Sequence, residues 1–380
     1  MMKSKSLSAF FIFVATVLLF GLQETSAQAA FLDSCFESRT VLFAGGDGIS
    51  RNYRIPALAT MADGTLVAVA DRRLDSNKDL PGRIDVVCRT SSDGGYTWSQ
   101  AVEVVVHDEG GGYGDPALGY DPASGDLVCV VTHGNGLWES VMGDHAYINV
   151  VRSSDGGKTW SEPVDITSSL FSQNEGEAPV TAVSGFATSG RILTDSHGDM
   201  WFVLVARPEI KKWSNLNCFA CRSSDGGVTW EALPVCVDDD ADESKLVELA
   251  DGTLMMSIRN RRKGNRKFAL SHDRGKSWSK PYTVGTLPDP ACNGDILMMG
   301  DGSMLHTIPD NIKDRTNVSL FRSTDNGSTW TKIVELCPVR SAYSALTPID
   351  ESTVGVLTEE ASSLGGLRLW FSRINLDKIK

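Results

Sequence analysis

The stretch Ser153-Ser154-Asp155-Gly156-Gly157-Lys158-Thr159-Trp160 reads as a tight turn that ends in a large apolar plug. An Asp side chain bonds nearby backbone N–H groups, glycine tolerates positive φ, and the indole folds back over apolar surface. The same pattern, Ser-x-Asp-x-Gly-x-Thr/Ser-Trp, recurs at 91–98, 223–230, 271–278 and 323–330. Each copy follows a short strand-like run, at 84–89, 146–152, 218–222, 266–270 and 318–322, so each box marks a hairpin turn. The first serines stand 62, 70, 48 and 52 residues apart, a spacing that suits propeller blades and not small helical or leucine-rich repeats. Dividing about 350 residues by a period of about 58 predicts six blades, one of them without a recognisable box. Further strand-like runs lie between the boxes, at 65–70, 127–131, 201–205 and 253–258. No long helical periodicity, proline-rich linker or low-complexity tract intervenes. The expected fold is therefore all-β, a six-bladed β-propeller that occupies residues 30–380 as one domain with no appended lectin module.

The remaining bounds come from composition. With 380 residues, 41% hydrophobic and 22% charged, the chain is long enough to bury a sizeable core. A net charge of −12 argues against nucleic acid as a partner, because phosphate contacts require a basic face and the 36 Lys and Arg are spread along the chain. Residues 1–29 read as a secretory signal, with Lys3 and Lys5 at its start, an apolar run over 9–20 and a small-residue cleavage site at Ala27-Gln28-Ala29. That reading makes the protein exported, periplasmic or secreted, with no membrane span after cleavage. The eight Cys are sparse and scattered, and most read as buried thiols. Cys218 and Cys221 have redox or zinc spacing, but in a strand side chains three apart point to opposite faces.

Chemistry has to be sought outside the boxes. Arg54 stands in Tyr53-Arg54-Ile55-Pro56, Arg259 ends the run after Asp251-Gly252-Thr253, and Arg315 precedes the run into the fifth box. Three arginines from different blades can converge at a propeller's central mouth, where their planar donor forks suit a carboxylate. With these residues and the boxes in place, the chain resembles the sialidases, whose pattern is an Arg-Ile-Pro followed by several Asp boxes. The match runs over almost the whole of residues 30–380.

The resemblance implies roles residue by residue. Arg54, Arg259 and Arg315 match the triad that holds the substrate carboxylate. In Asp71-Arg72-Arg73-Leu74-Asp75-Ser76-Asn77-Lys78-Asp79, Arg73 matches a substrate-contacting Arg and Asp79 the acid/base. Glu243 matches the glutamate that partners the nucleophile, and Tyr343, in Ser341-Ala342-Tyr343-Ser344, matches the nucleophile itself. Glu359 matches the carboxylate that orients the first Arg, with adjacent Glu360 as the alternative. Asp115, after a glycine-rich run, resembles a residue facing the substrate's acyl-amino group, with a structural turn as the alternative. The segment 134–145, with Trp138 and Met142, is a candidate lining for the glycerol tail or the leaving sugar, or else core. The chain departs from many relatives in having Asp242 before Glu243, at the end of an acidic run over 238–242 that reads as a solvated turn rather than a calcium loop.

The implied activity is an exo-α-sialidase, a retaining glycoside hydrolase with a Tyr nucleophile, acting on sialylated glycoproteins, glycolipids or oligosaccharides. No HExxH, phosphate loop or GxSxG elbow is present, and the reading takes no metal and no cofactor. Two alternatives stay open. One is a trans-sialidase that passes the sugar to another acceptor or to its own glycerol hydroxyl; the other is a noncatalytic glycan-binding propeller, which keeps the boxes but has no need of Tyr343, Glu243 or Asp79.

Overall fold

The computed structural model describes residues 34–46, 49–50, 52–211, 213–362 and 366–379; the signal segment expected at 1–29 lies outside them. The described chain is a six-bladed β-propeller. Blade 1 is Asn52–Thr60, Leu66–Arg73, Ile84–Ser91 and Val102–Val105. Blade 2 is Tyr113–Tyr120, Leu127–Gly134, Ala146–Ser153 and Val164–Asp165, with Gly190–Arg191 added in parallel on its inner edge. Blade 3 is Ser184–Ala187, Met200–Arg207, Asn217–Ser223 and Glu231–Ala232, and blade 4 is Ser244–Glu248, Leu254–Ile258, Gly264–Ser271 and Tyr282–Asp289. Blade 5 begins with Asp295–Met298, Met304–Pro309 and Thr316–Ser323. The 18-residue strand Thr331–Pro348 then serves two blades: its first part pairs with Thr316–Ser323, its second with Thr353–Ala361 of blade 6.

The ring closes on the chain's two ends. Phe36–Phe43 pairs antiparallel with Leu367–Asn375 and forms the outer strand of blade 6. Every box joins the third strand of its blade to the fourth, so the blade without a box is the one whose fourth strand arrives from the other end of the chain. Blade 6 has no turn at that place to carry one.

Alternation along each strand explains why the strands are buried on both faces. In Leu66–Arg73, Val67 and Val69 face blade 2, whereas Leu66, Ala68 and Ala70 face blade 6. Met200 and Phe202 likewise face blade 2 while Trp201 and Val203 face blade 4. A period of two thus feeds two separate inter-blade cores, and the strand reads as a nearly unbroken apolar run. Six such cores, one between each pair of neighbours, complete the ring. Cys218 and Cys221 fall in different cores, as the strand spacing requires. Seven of the eight cysteines are buried and Cys236 is exposed.

The boxes repeat one hydrogen-bond pattern. In the first, Gly95 N–H donates to Ser91 Oγ at 2.8 Å, Ser91 Oγ to Asp93 at 2.8 Å, and Thr97 N–H to Asp93 at 2.9 Å. The Trp98 indole N–H closes the turn on the Gly95 carbonyl at 3.2 Å. Gly95 has φ of 94°, and a Cβ there would meet the Phe371 ring at 2.3 Å, so only glycine lets the turn seat against blade 6.

Candidate active site

Strand register separates the two rims of the ring. Asn52 pairs with Arg73, and Leu66 with Ser91, so the connections between second and third strands open on the rim opposite the boxes. Every candidate residue named from the sequence sits on that rim. Arg54, Asp115 and Tyr343 each lie where the inner strand of a blade slips register, between Arg54 and Ala57, Gly114 and Ala117, and Ser341 and Ser344. Such bulges re-aim side chains that a regular ladder would send into an inter-blade core. Two positions there hold positive φ without being glycine: Asp115 at 55° and Ile55 at 59°. For a β-branched residue that is a strained backbone. Ile55 is held in it by its N–H, which donates to Glu359 Oε1 at 2.8 Å, and by packing against Cys292, Ala342 and Tyr343.

The rim residues surround a cavity of about 780 Å³, lined by Arg54, Asp79, Asp115, Glu243, Arg259, Arg315 and Tyr343 among others. At its floor the Tyr343 hydroxyl donates to Glu243 Oε2 at 2.5 Å and accepts from Arg259 at 3.1 Å. Burial first, and the Glu243 charge second, hold the Tyr343 phenol well above its ordinary range, against the pull of the three arginines. The phenol is therefore a proton donor at rest, and the group positioned to take that proton is Glu243. The Arg54 and Arg315 guanidinium carbons stand 5.1 and 5.5 Å from the Tyr343 ring centroid.

The three arginines are fixed differently. Arg54 is gripped by both oxygens of Glu359, at 3.0 and 3.1 Å, and Glu359 also accepts from Tyr343 N–H at 3.1 Å. Burial, the largest influence, would raise the Glu359 carboxyl, but the Arg54 charge together with hydrogen bonds from Arg54 and the Ile55 and Tyr343 N–H groups holds it below the usual range. Glu360, the neighbouring alternative, faces the other way and pairs with Arg39 at 2.5 Å. Arg259 contacts Glu243 and lies 3.4 Å from Asp242, which gives that acidic departure a structural use. Within the same acidic run Asp238 pairs with Lys267 and Asp240 with Arg262, while Asp239 is exposed to solvent. Arg315 donates to the Ala291 carbonyl at 2.6 Å and makes no ion pair among the described residues, so its charge is left to an incoming anion.

Asp79 projects from the loop over 74–83, its side chain 73% exposed, 2.8 Å from Arg73 and 3.7 Å from Arg54. Arg73 itself is 1% exposed and does not line the cavity; its donors are committed to Asp71, the Asn77 carbonyl and Asp79. The sequence expectation made it a substrate contact, and in this structure it lies behind Asp79 and anchors it. Asp115 donates its N–H to Asp71 at 3.1 Å. Burial, then the neighbouring Asp71, Asp79 and Glu243, hold the Asp115 carboxyl well above its ordinary range. Of the segment over 134–145, Gly136, Leu137, Trp138 and Glu139 line the cavity, whereas Met142 is an exposed surface residue.

The BNR repeat-like domain family matches residues 64–356 of this chain. A sialidase of Bacteroides fragilis (strain YCH46) is 30% identical over 344 residues, and one of Micromonospora viridifaciens 32% identical over 336. The chain belongs to the sialidase family of BNR-repeat proteins. The two alignments cover 83% and 82% of this chain but only 61% and 50% of those two sialidases, so the chain spans part of their length. The Hadza microbial sialidase Hz136 superposes with a TM-score of 0.80 at 28% identity, over 90% of this chain and 69% of that one.

Within this sialidase-family site, several residues went unmarked by sequence. Trp213, in the connection between the second and third strands of blade 3, is 70% exposed and packs its ring 4.9 Å from that of Trp138 at the cavity rim. Asp71 supports Arg73 from below, its carboxyl pushed up to about 6 by burial against the lowering effect of that Arg. Ser189 and Asn293 donate to Glu243 Oε1, each at 3.3 Å, and Lys245 donates to Asn293 at 2.8 Å. None of these was given a role by the sequence motifs; each is found by its neighbours in space.

Proposed function

We propose that the protein is an exo-α-sialidase that hydrolyses terminal sialic acid from glycans with retention of configuration. The observation that carries this reading is the Tyr343–Glu243 hydrogen bond of 2.5 Å with three arginine side chains about it. Sialic acid bears a carboxylate on its anomeric carbon, so an Asp or Glu nucleophile would approach against a like charge. A phenol approaches neutral and becomes nucleophilic as Glu243 Oε2 takes its proton. Arg54, Arg259 and Arg315 bind the substrate carboxylate; Asp79 protonates the departing glycosidic oxygen and then deprotonates the incoming water. Two displacements at one carbon give net retention. Asp115, holding its proton, has an O–H to offer the acyl-amino carbonyl. Trp138 and Trp213 supply an apolar rim against which the leaving sugar can stack.

A fluorinated sialic acid with a good leaving group tests this directly. Fluorine beside the anomeric carbon slows both steps and the leaving group rescues only the first, so a covalent label should collect on the peptide containing Tyr343. A label on Glu243, Asp79 or any other side chain overturns the assignment. Incubation with sialylated lactose, with products identified by mass, separates hydrolysis from transfer: free sialic acid is expected, in chelator as well as without it. We read residues 1–29 as an export signal, tested by the N-terminal sequence of protein recovered outside the cytoplasm.

A further inference from the structure

Glu243 is held from two sides. Tyr343 and Arg259 engage Oε2, the side on which chemistry takes place. Oε1 receives Ser189 Oγ and Asn293 Nδ2, both at 3.3 Å, and Asn293 Nδ2 also donates to Ser189 Oγ at 3.0 Å. The amide of Asn293 can serve Oε1 only with its nitrogen turned toward the carboxylate; flipped, it would set a carbonyl oxygen against a negative charge. What fixes the turn is Lys245, whose ammonium donates to Asn293 Oδ1 at 2.8 Å.

Glu243 stands immediately before the inner strand of blade 4, Ser244–Glu248, and Lys245 is the second residue of that strand. It is 1% exposed. A buried ammonium is costly unless compensated, which makes its presence here informative. Its stem runs past Gly190, where a Cβ would stand 2.8 Å from Lys245 Cε, so a side chain at 190 would displace it. The charged groups around it are Glu243, Asp295, Arg191, Arg266 and the buried imidazole of His306. Asp295 is occupied elsewhere, by Arg191 at 3.2 and 3.0 Å and by the Ile296 and Leu346 N–H groups. Arg266 is committed to Asp289 and Ser257. A structural ion pair with Asp295 therefore does not account for Lys245, and its hydrogen bond leads to Glu243.

We infer that Lys245 is a positioning residue: its charge, relayed through Asn293, keeps the Glu243 carboxylate aimed as the proton acceptor for Tyr343. This rests on the sialidase reading for its use in turnover, but the electrostatic link stands apart from it. Burial brings the Lys245 ammonium down to about 8, with Glu243 and Asp295 resisting. Below that pH the relay is charged; as pH rises through it the charge is lost, and Glu243 should register the change.

The experiment follows the Glu243 side-chain carboxylate by ¹³C NMR from pH 5 to 10 in the unliganded protein, the signal being assigned by its absence in Glu243→Gln. An inflection near pH 8 is expected, absent in Lys245→Met, which keeps the length of the side chain without its charge. No inflection in the unsubstituted protein, or the same inflection in Lys245→Met, overturns the proposal. Neither outcome depends on activity, so failure here is distinct from failure to release sialic acid. In turnover, Lys245→Met should lower kcat about tenfold or more at pH 7 with KM within about twofold, and remove the alkaline limb of the pH profile near 8. If Lys245→Met does not fold, Asn293→Leu cuts the same relay with Lys245 in place and should give the same loss; normal kcat in Asn293→Leu is equally fatal.

Discussion

The two rims of this propeller are built from the same strands and follow opposite rules. On the box rim, Ser, Asp, Gly and Thr or Ser repeat the same bonds within a few tenths of an ångström, from Asp93–Thr97 at 2.9 Å to Asp325–Thr329 at 2.9 Å, five blades over. On the cavity rim no two blades agree: blade 1 gives Arg54 and Asp79, blade 2 Asp115, blade 4 Glu243 and Arg259, blade 5 Arg315, blade 6 Tyr343. The inner strands of three of them are bulged where those residues sit. Repetition on one rim holds the ring together and leaves the other free to break the ladder. Substitutions should therefore sort by rim, changing rate with the fold intact on one side and stability with the rate intact on the other.

The largest effect should come from Tyr343→Phe, which keeps the ring and removes the hydroxyl proposed to attack. Labelling by the fluorinated sugar should vanish and kcat should fall by roughly a hundredfold or more, with the melting temperature nearly unchanged. Residual turnover through direct attack by water need not retain configuration. Normal retaining turnover by this variant would end the division of labour between the rims. Next is Arg315→Lys, which keeps a charge but loses the fork aimed at the carboxylate. A charge-assisted hydrogen bond is worth about 1.5 to 3 kcal/mol, so kcat/KM should drop at least roughly tenfold; a kinetically silent result would remove Arg315 from the site. Smaller still is Trp213→Ala: KM for sialyllactose should rise roughly two- to tenfold, while a sialoside with a small aryl leaving group should be little affected. Equal losses on both substrates would show that the Trp138–Trp213 pair supports the loop and not the leaving sugar.

The smallest kinetic effect belongs to the box rim. Asp155→Ala removes bonds to Thr159 and Ser153 and should lower the melting temperature at pH 7 while kcat/KM stays within about twofold. Its pH dependence has a definite sign. The Thr159 hydroxyl and N–H hold the Asp155 carboxyl down to about 2, below the 3.8 of a free group. The stabilisation is thus present above about pH 4 and lost as pH falls toward 2, so the gap between variant and parent should close over that window. The carboxylate is solvent-exposed, which keeps the gap small. A gap that widens on acidification would contradict the hydrogen-bonded turn.

What could be read beforehand follows the same division. The boxes were legible because turn chemistry is local: Ser, Asp, Gly and Trp within eight residues specify their own bonds. The arginines and Tyr343 were legible through order along the chain and the resemblance it carried. Glu359 against Glu360 was not, because adjacent residues on a strand face opposite ways and only register tells which meets Arg54. The relay from Lys245 was invisible for a different reason. Asn293 and Ser189 lie 48 and 56 residues from it in sequence, and a lysine in a strand ordinarily signals solvent. Arg73 shows the converse: the resemblance implied a substrate contact, and the structure gives a buried guanidinium paired with Asp71 and Asp79.

The closure of blade 6 by Phe36–Phe43 and Leu367–Asn375 sets the order of events in synthesis. Among the described residues, the earliest strand, Phe36–Phe43, pairs only with Leu367–Asn375, far along the chain. At about 5 to 20 residues per second, the intervening chain takes on the order of tens of seconds to appear. Through that interval five blades can collapse against their neighbours, but the pocket cannot assemble, because Tyr343 and Glu359 belong to the blade that is still open. Until Leu367–Asn375 docks, Phe36–Phe43 has no edge to join, and a chain that stops short of Leu367 leaves an uncapped sheet edge in blade 6.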